Sequence, residues 1–257
     1  MPRKKTTGWT KWMAVGDNHG ALIDLDTKRA ALKFAEQWQP DFRIHLGDNF
    51  AFPGLRQGIN PAADNLAADD LSEDLIAGFT FLEKFAPNVY LLGNHEDLLW
   101  RIQESHSQGI MRYAAADVIE RIRKQCHRTK TKLYRYHAET GVHREANGAL
   151  AFTHGFSANQ NSVKEHATHY CQAGGTVVMG HLHRVECQTG KRQGGTWGYS
   201  AGCLADFSKM TYAKNRLATA GWENAWAFGV WKGETAITWL ARRCGPHWLL
   251  PTGLEKL

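Results

Sequence analysis

Two rhythms of apolar and polar positions divide this chain. Short apolar runs at Trp12-Met13-Ala14-Val15, Phe42-Arg43-Ile44-His45-Leu46 and Val89-Tyr90-Leu91-Leu92 predict strands. Between them, residues 27–39 and 71–85 carry apolar side chains at helical spacing and predict amphipathic helices. The resulting β-α-β-α-β order implies a parallel sheet with right-handed crossovers. Residues 51–70, rich in Pro, Gly, Asn and Ala, predict a long surface loop of the kind that often carries function. A helical pattern then runs from Glu96 to about Glu120. Later strands are expected at Ala149-Leu150-Ala151-Phe152, Thr176-Val177-Val178-Met179, Val185-Glu186-Cys187, and residues 226–231 and 235–239. No repeat or low-complexity tract interrupts the pattern. One domain over residues 1–257 is expected, with insertions near 50–70 and 97–147.

Composition narrows the class. With 43% hydrophobic and 22% charged residues, a chain of 257 residues can bury a core, which excludes wholesale disorder. No apolar run approaches the roughly eighteen residues of a membrane span, so no membrane partner is expected. The start, Met1-Pro2-Arg3-Lys4-Lys5, lacks the apolar stretch of a secretory signal. Five dispersed cysteines without a CxxC pair argue against a disulfide framework or a zinc finger. A reducing, cytoplasmic setting is the expectation.

Charge is unevenly shared. The net +6 divides into −4 for residues 1–110 and +10 for residues 111–257. Arg121, Arg123, Lys124, Arg128, Lys130, Lys132 and Arg135 occur with no acid among them before Glu139. This stretch has two readings of equal weight. It could track a DNA or RNA backbone, with Tyr134 and Tyr136 as stacking faces, or be a solvated face. Arg3-Lys4-Lys5 is read as a loose arm.

The chemistry lies at the strand ends. Val15-Gly16-Asp17-Asn18-His19, Leu46-Gly47-Asp48-Asn49 and Leu92-Gly93-Asn94-His95-Glu96 each leave an apolar run through Gly into ligand-type residues. Phe152-Thr153-His154-Gly155 and Met179-Gly180-His181-Leu182-His183 repeat the idea downstream. Open α/β sheets build their sites at such carboxyl ends. Carboxylate, amide and imidazole donors without thiolate suit Mn, Fe, Zn or Ni better than Mg or Ca. Seven candidates, Asp17, His19, Asp48, Asn94, His154, His181 and His183, are too many for one ion with an open position. Two ions sharing a carboxylate use them naturally.

These motifs resemble the calcineurin-like metallophosphoesterases, whose pattern runs D-x-H, G-D, G-N-H-[DE], H, G-H-x-H. The match spans residues 13 to 183 in the family's order. The resemblance implies an α/β fold of two packed mixed β-sheets flanked by helices, a four-layer α-β-β-α sandwich. It also implies two divalent transition-metal ions, Mn2+ first, with Fe, Zn or Ni as alternatives. Asp17, His19 and His183 would hold one ion, Asn94, His154 and His181 the other, with Asp48 bridging. His95 would be the catalytic histidine that steadies the phosphoryl group or protonates the leaving oxygen. A metal-bridging hydroxide would attack phosphorus.

The protein serine/threonine phosphatases of that family continue Gly-Asp into a D-R-G element that orients the acid histidine and holds phosphate. Here Asn49-Phe50-Ala51-Phe52-Pro53-Gly54 follows, so the partner of His95 is left open. The leading function is a phosphodiesterase or nuclease acting on nucleic acid or nucleotide. A phosphomonoesterase on nucleotide or phosphoprotein, and a catalytically silent metal-binding scaffold, are the rivals.

The remaining residues are given blander roles. His45 is expected to be a satisfied, partly buried side chain, and His166 and His169 to lie at the surface. His106, His127, His137, His143 and His247 carry no motif. Trp222, Trp226, Trp231 and Trp239 are expected to fill the second sheet and its rim. Phe50 and Phe52 either wall the pocket or pack in the core.

Overall fold

A computed structural model describes residues 8–52, 55, 71–105, 109–210, 219–255 and 257. Strands β1 (Thr10–Val15), β2 (Phe42–His45), β3 (Val89–Leu91) and β4 (Lys132–Tyr134) pair in parallel, each with the next. Parallel neighbours need long crossovers, and helices supply them. They are α1 (Leu25–Trp38), α2 (Leu71–Phe85), and the pair α3 (Asn94–Glu104) and α4 (Gly109–Thr129). A second sheet follows from β5 (Val142–Glu145), β6 (Leu150–Thr153), α5 (Ser162–Tyr170), β7 (Thr176–Met179), β8 (Val185–Thr189) and β9 (Trp197–Ala201). The chain then returns to the first sheet as an antiparallel meander of β10 (Ala225–Lys232), β11 (Thr235–Cys244), β12 (His247–Leu250) and β13 (Gly253–Glu255). Gly233, at φ +58°, opens the two-residue turn between β10 and β11, where a side chain would be strained. The sheets are ordered β13-β12-β11-β10-β1-β2-β3-β4 and β5-β6-β7-β9-β8. Both are mixed, as the expected fold class requires.

Strand pleating sorts the core into layers. Trp12 and Ala14 of β1 face the second sheet with Ile44, Leu91, Phe152 and Val178, and Trp12 meets Phe152 edge-on at 5.1 Å. Met13 and Val15 face outward onto Ala30, Ala31 and Phe34 of α1 and Phe81 and Phe85 of α2. On the far side, Ala151 and Val177 pack under Ala167 and Tyr170 of α5. With helices over both sheets, the inner strands are buried on both faces and read as continuous apolar runs.

Several expectations need correction. Trp226 and Trp239 lie on the outer face of the larger sheet, and Trp231 lies between the sheets. The larger sheet, through the β1–β10 pairing, claims them rather than the second. Trp222 packs against His183 at the metal-like rim, ring centroids 4.4 Å apart. The helical pattern beyond Glu96 is two helices, and α4 runs on to Thr129 because Ile119, Ile122 and Cys126 hold one face in the core. Phe50 and Phe52 are core residues, stacked at 5.2 Å. Arg3, Lys4, Lys5, His106 and most of the expected 50–70 insertion lie outside the described residues. The five cysteines are free thiols. Among the described residues no helix is long and apolar enough to cross a membrane.

Candidate metal centre

Five strand ends deliver their ligands to one rim, from the turns after β1, β2, β3, β6 and β7. Backbone strain accompanies them. Asp17, His19, Asp48, His181 and His183 all have positive φ, between 49° and 70°. Non-glycine residues adopt that region at a cost, and such outliers gather at functional sites. Gly47, at φ +108°, lets the turn approach: a Cβ there would stand 2.6 Å from His154 Nδ1.

Two groups of ligand atoms result. One atom each from Asp17, His19, Asp48 and His183 lies within 4.8 Å of the others, and all four residues are buried. Asp48, His154 and His181 form the second group under the same limit. Asp48 belongs to both. His154 Nε2 is 3.0 Å from Asn94 Oδ1, which brings Asn94 to the second group. Outer partners fix these directions. His154 Nδ1 donates to the Leu46 carbonyl at 2.9 Å, turning Nε2 inward. Both Asp17 oxygens accept the His181 N–H, at 3.1 and 3.0 Å.

The donor set fits divalent cations. His19 Nε2 and His183 Nε2 approach to 3.0 Å, with Asp17 Oδ1 3.2 Å from the latter. Converging nitrogen lone pairs beside carboxylate oxygens demand positive charge between them. Burial lowers His154, but the Asp48 carboxylate reverses this and brings it up to about 9. Burial, and next the His154 charge, lower His181 to about 4. Burial opposes ionisation of Asp48, yet His154 and His95 hold it well below the usual carboxylate range.

His95 stands beside both groups. Its Nε2 is 3.8 Å from Asp48 Oδ2, and its backbone N–H donates to Asp48 Oδ1 at 3.0 Å. Its Nδ1 is 2.7 Å from the Ala51 carbonyl oxygen. A carbonyl only accepts, so Nδ1 carries the proton and Nε2 faces the centre. This supplies the orienting partner that the missing D-R-G element left open.

Two buried carboxylates hold the loop after β2. Glu96 accepts the backbone N–H groups of Asp48, Asn49, Phe50 and Gly93 at 2.7–3.1 Å, and the Tyr90 hydroxyl at 2.9 Å. Asp74, from the first turn of α2, accepts those of Ala51 and Phe52. Burial pushes Asp74 up, and those N–H groups oppose it. In the sequence Glu96 stands out only as the last position of the G-N-H-[DE] motif, and Asp74 belongs to no motif at all. One signal was available: Asp74 shares a helix face with Gly78, Phe81 and Phe85, where a lone acid needs a reason.

Other histidines are structural. His45 is buried and satisfied, as expected, between Asn18 Oδ1 at 2.8 Å and the Gly47 N–H at 3.2 Å. His166, expected at the surface, is buried: Nδ1 donates to Ser162 O and Nε2 accepts from Phe156 N–H. It braces the turn that follows His154. His143 is buried too, beside the Tyr134 hydroxyl and Glu145.

The basic stretch does not form one line. Arg121, Arg123, Lys124 and Arg128 lie on α4, Lys132 on β4, and Lys130 and Arg135 flank that strand. All seven are exposed. Arg128 pairs with Glu83, Lys124 with Glu120, and Arg135 with Glu104, while Arg121 lies over Phe79. Tyr134 and Tyr136 are half-buried, and Tyr136 packs on His154 at 5.7 Å.

A family model described as calcineurin-like phosphoesterase matches residues 10–185. Among solved structures, the chain is similar to Yfce, a phosphoesterase from E. coli, at 14% identity and TM-score 0.44. That match covers 89% of this chain and 97% of the other. It is similar to Zn2+-complexed Vps29 from Entamoeba histolytica at 10% identity and TM-score 0.46, over 96% of each chain. Vps29 from Chaetomium thermophilum matches at 12% identity and TM-score 0.44, over 96% of this chain and 95% of that one. No curated protein matches the sequence.

Proposed function

Because the chain belongs to the calcineurin-like phosphoesterase family, we propose that it hydrolyses phosphoesters with the help of two divalent ions. The observation that carries this reading is the shared carboxylate, Asp48, common to both groups of converging ligand atoms, with His95 beside it. Asp17, His19 and His183 would hold one ion with Asp48, and Asn94, His154 and His181 the other. Mn2+ is the first choice, with Fe, Zn or Ni as alternatives, since nitrogen and oxygen donors without thiolate suit them. Such ions neutralise phosphate charge and activate water near neutral pH.

The chain's own groups position and protonate. As an imidazolium, with Nδ1–H committed to Ala51, His95 would give its second proton from Nε2 to the leaving oxygen and remain neutral, protonated on Nδ1. Asp48, accepting the His95 N–H, ties that acid to the ligand set. We extend the reading to phosphodiesters of nucleotides or nucleic acid. Its support is the +10 balance of residues 111–257 and the absence, after Gly47-Asp48, of the Asp and Arg of protein phosphatases.

Metal analysis with parallel assays on bis-p-nitrophenyl phosphate and p-nitrophenyl phosphate tests all of this. Two bound ions and faster diester turnover are expected. Faster monoester turnover would favour a phosphomonoesterase, and bound metal without turnover a silent scaffold.

A further inference from the structure

We propose that Asp74 positions His95 through the peptide group between Ala51 and Phe52, so that carboxylate, peptide and imidazole act as one relay. The proposal rests on the phosphoesterase reading of His95. The Phe52 N–H donates to Asp74 Oδ2 at 3.0 Å, and the carbonyl of that same peptide, Ala51 O, accepts from His95 Nδ1 at 2.7 Å. A trans peptide points its N–H and C=O in opposite directions within its own plane, so carboxylate and imidazole sit at the two edges of one peptide. A carboxylate that accepts the N–H polarises the amide and strengthens the carbonyl as an acceptor. The charge of Asp74 thereby reaches the imidazole through the backbone as well as across space.

The surroundings hold this plane in place. Asp74 is 2% exposed and also accepts the Ala51 N–H, at 3.0 and 3.2 Å, so two successive amides are fixed on one carboxylate. Phe52 has φ +45°, a conformation that an aromatic residue keeps only under constraint. Its ring is fully buried with Leu75 and Leu82 of α2, the helix that carries Asp74. In the protein phosphatases an acid close behind Gly-Asp serves the histidine. In this chain the acid arrives from α2 and works through the backbone.

The test combines kinetics with a measurement that needs no turnover. Asp74→Asn removes the charge and one acceptor with little change of shape. On diphenyl phosphate, whose leaving group needs the proton, kcat should fall about 10- to 100-fold, as when an outer partner of a site residue is lost. The loss on bis-p-nitrophenyl phosphate should be smaller. In a His95→Ala background Asp74→Asn should cost nothing further, because both changes remove one function. An equal loss in both backgrounds, or none in wild type, overturns the relay. Independently, proton NMR of the wild type should show a slowly exchanging His95 Nδ1–H that vanishes in His95→Ala. Asp74→Asn should shift it upfield and speed its exchange, and an unmoved resonance overturns the proposal. If wild type hydrolyses neither ester, the phosphoesterase reading fails while this resonance still decides the relay. Asp74→Ser replaces Asp74→Asn if circular dichroism finds the latter unfolded.

Discussion

Glu96→Gln should destabilise the fold by an amount that depends on pH. Glu96 Oε1 accepts from Asn49 N–H, Phe50 N–H and the Tyr90 hydroxyl, while Oε2 accepts from Asp48 N–H and Gly93 N–H. Glutamine has one oxygen for these five donors. Turned toward the three, it leaves the Asp48 and Gly93 N–H groups facing an NH2. Two buried donors left unpaired cost about 1–3 kcal/mol each, or about 2–6 kcal/mol together. An opposing effect comes from charge. Burial, and next the Asp48 carboxylate, raise Glu96 from 4.5 to about 7. Keeping it ionised at pH 8 therefore costs about 3 kcal/mol, which glutamine avoids. The folded pKa lies above the unfolded one, so this group favours the fold most below about pH 4.5. That contribution is lost as pH rises through about 7. The stability gap between wild type and Glu96→Gln should thus narrow by about 2–3 kcal/mol from pH 5 to pH 8. Urea unfolding of chelator-treated protein at both pH values, followed by tryptophan fluorescence, measures it. A gap that stays constant with pH would refute the raised pKa. A variant as stable as wild type at pH 5 would refute the anchoring role.

Asp48→Asn should lose metal at both positions together, with activity, while circular dichroism stays native; full activity in that variant would sink the shared-carboxylate reading. Replacing Arg128, Lys130 and Lys132 together by Gln should flatten the salt dependence of DNA or RNA binding between 50 and 200 mM and slow polymer cleavage. Turnover of a small diester should hold, and an unchanged salt slope would mark the stretch as a solvated face. Gly78→Ala should destabilise by about 1–3 kcal/mol, although Ala favours helices, because its Cβ would strike the Phe50 ring. A rise in melting temperature would refute that clash.

The ligand set was legible because every member but His183 sits beside Gly close to the end of an apolar run, a purely local pattern. Three strands of the larger sheet's parallel half were legible for the same reason, since β1, β2 and β3 alternate with helices of clear period, whereas β4 lay unread within the basic stretch. The antiparallel half was not assigned to the right sheet. Its join, the pairing of Trp12 with Gly229 and Met13 with Phe228, links positions far apart in sequence. Strands β12 and β13 were not foreseen, and β5 and β9 escaped notice because Val142-His143-Arg144-Glu145 is mostly polar and Trp197-Gly198-Tyr199-Ser200-Ala201 carries Gly and Ser. The roles of Asp74 and Glu96 escaped because their partners are backbone amides, which every residue offers and no sequence marks.

The left-handed turns at Asp17, His19, Asp48, His181 and His183 set function and endurance against each other. A residue with a Cβ gives up roughly 1–2 kcal/mol to stand there, whereas Gly stands there freely. Selection for heat resistance alone would therefore favour Gly at these positions and erase the ligands. A library evolved for thermal survival without any demand for metal should drift toward glycine at these five turns. Asn94 and His154, which have ordinary backbone geometry, should persist longest. The rim would dissolve in the order of its strain.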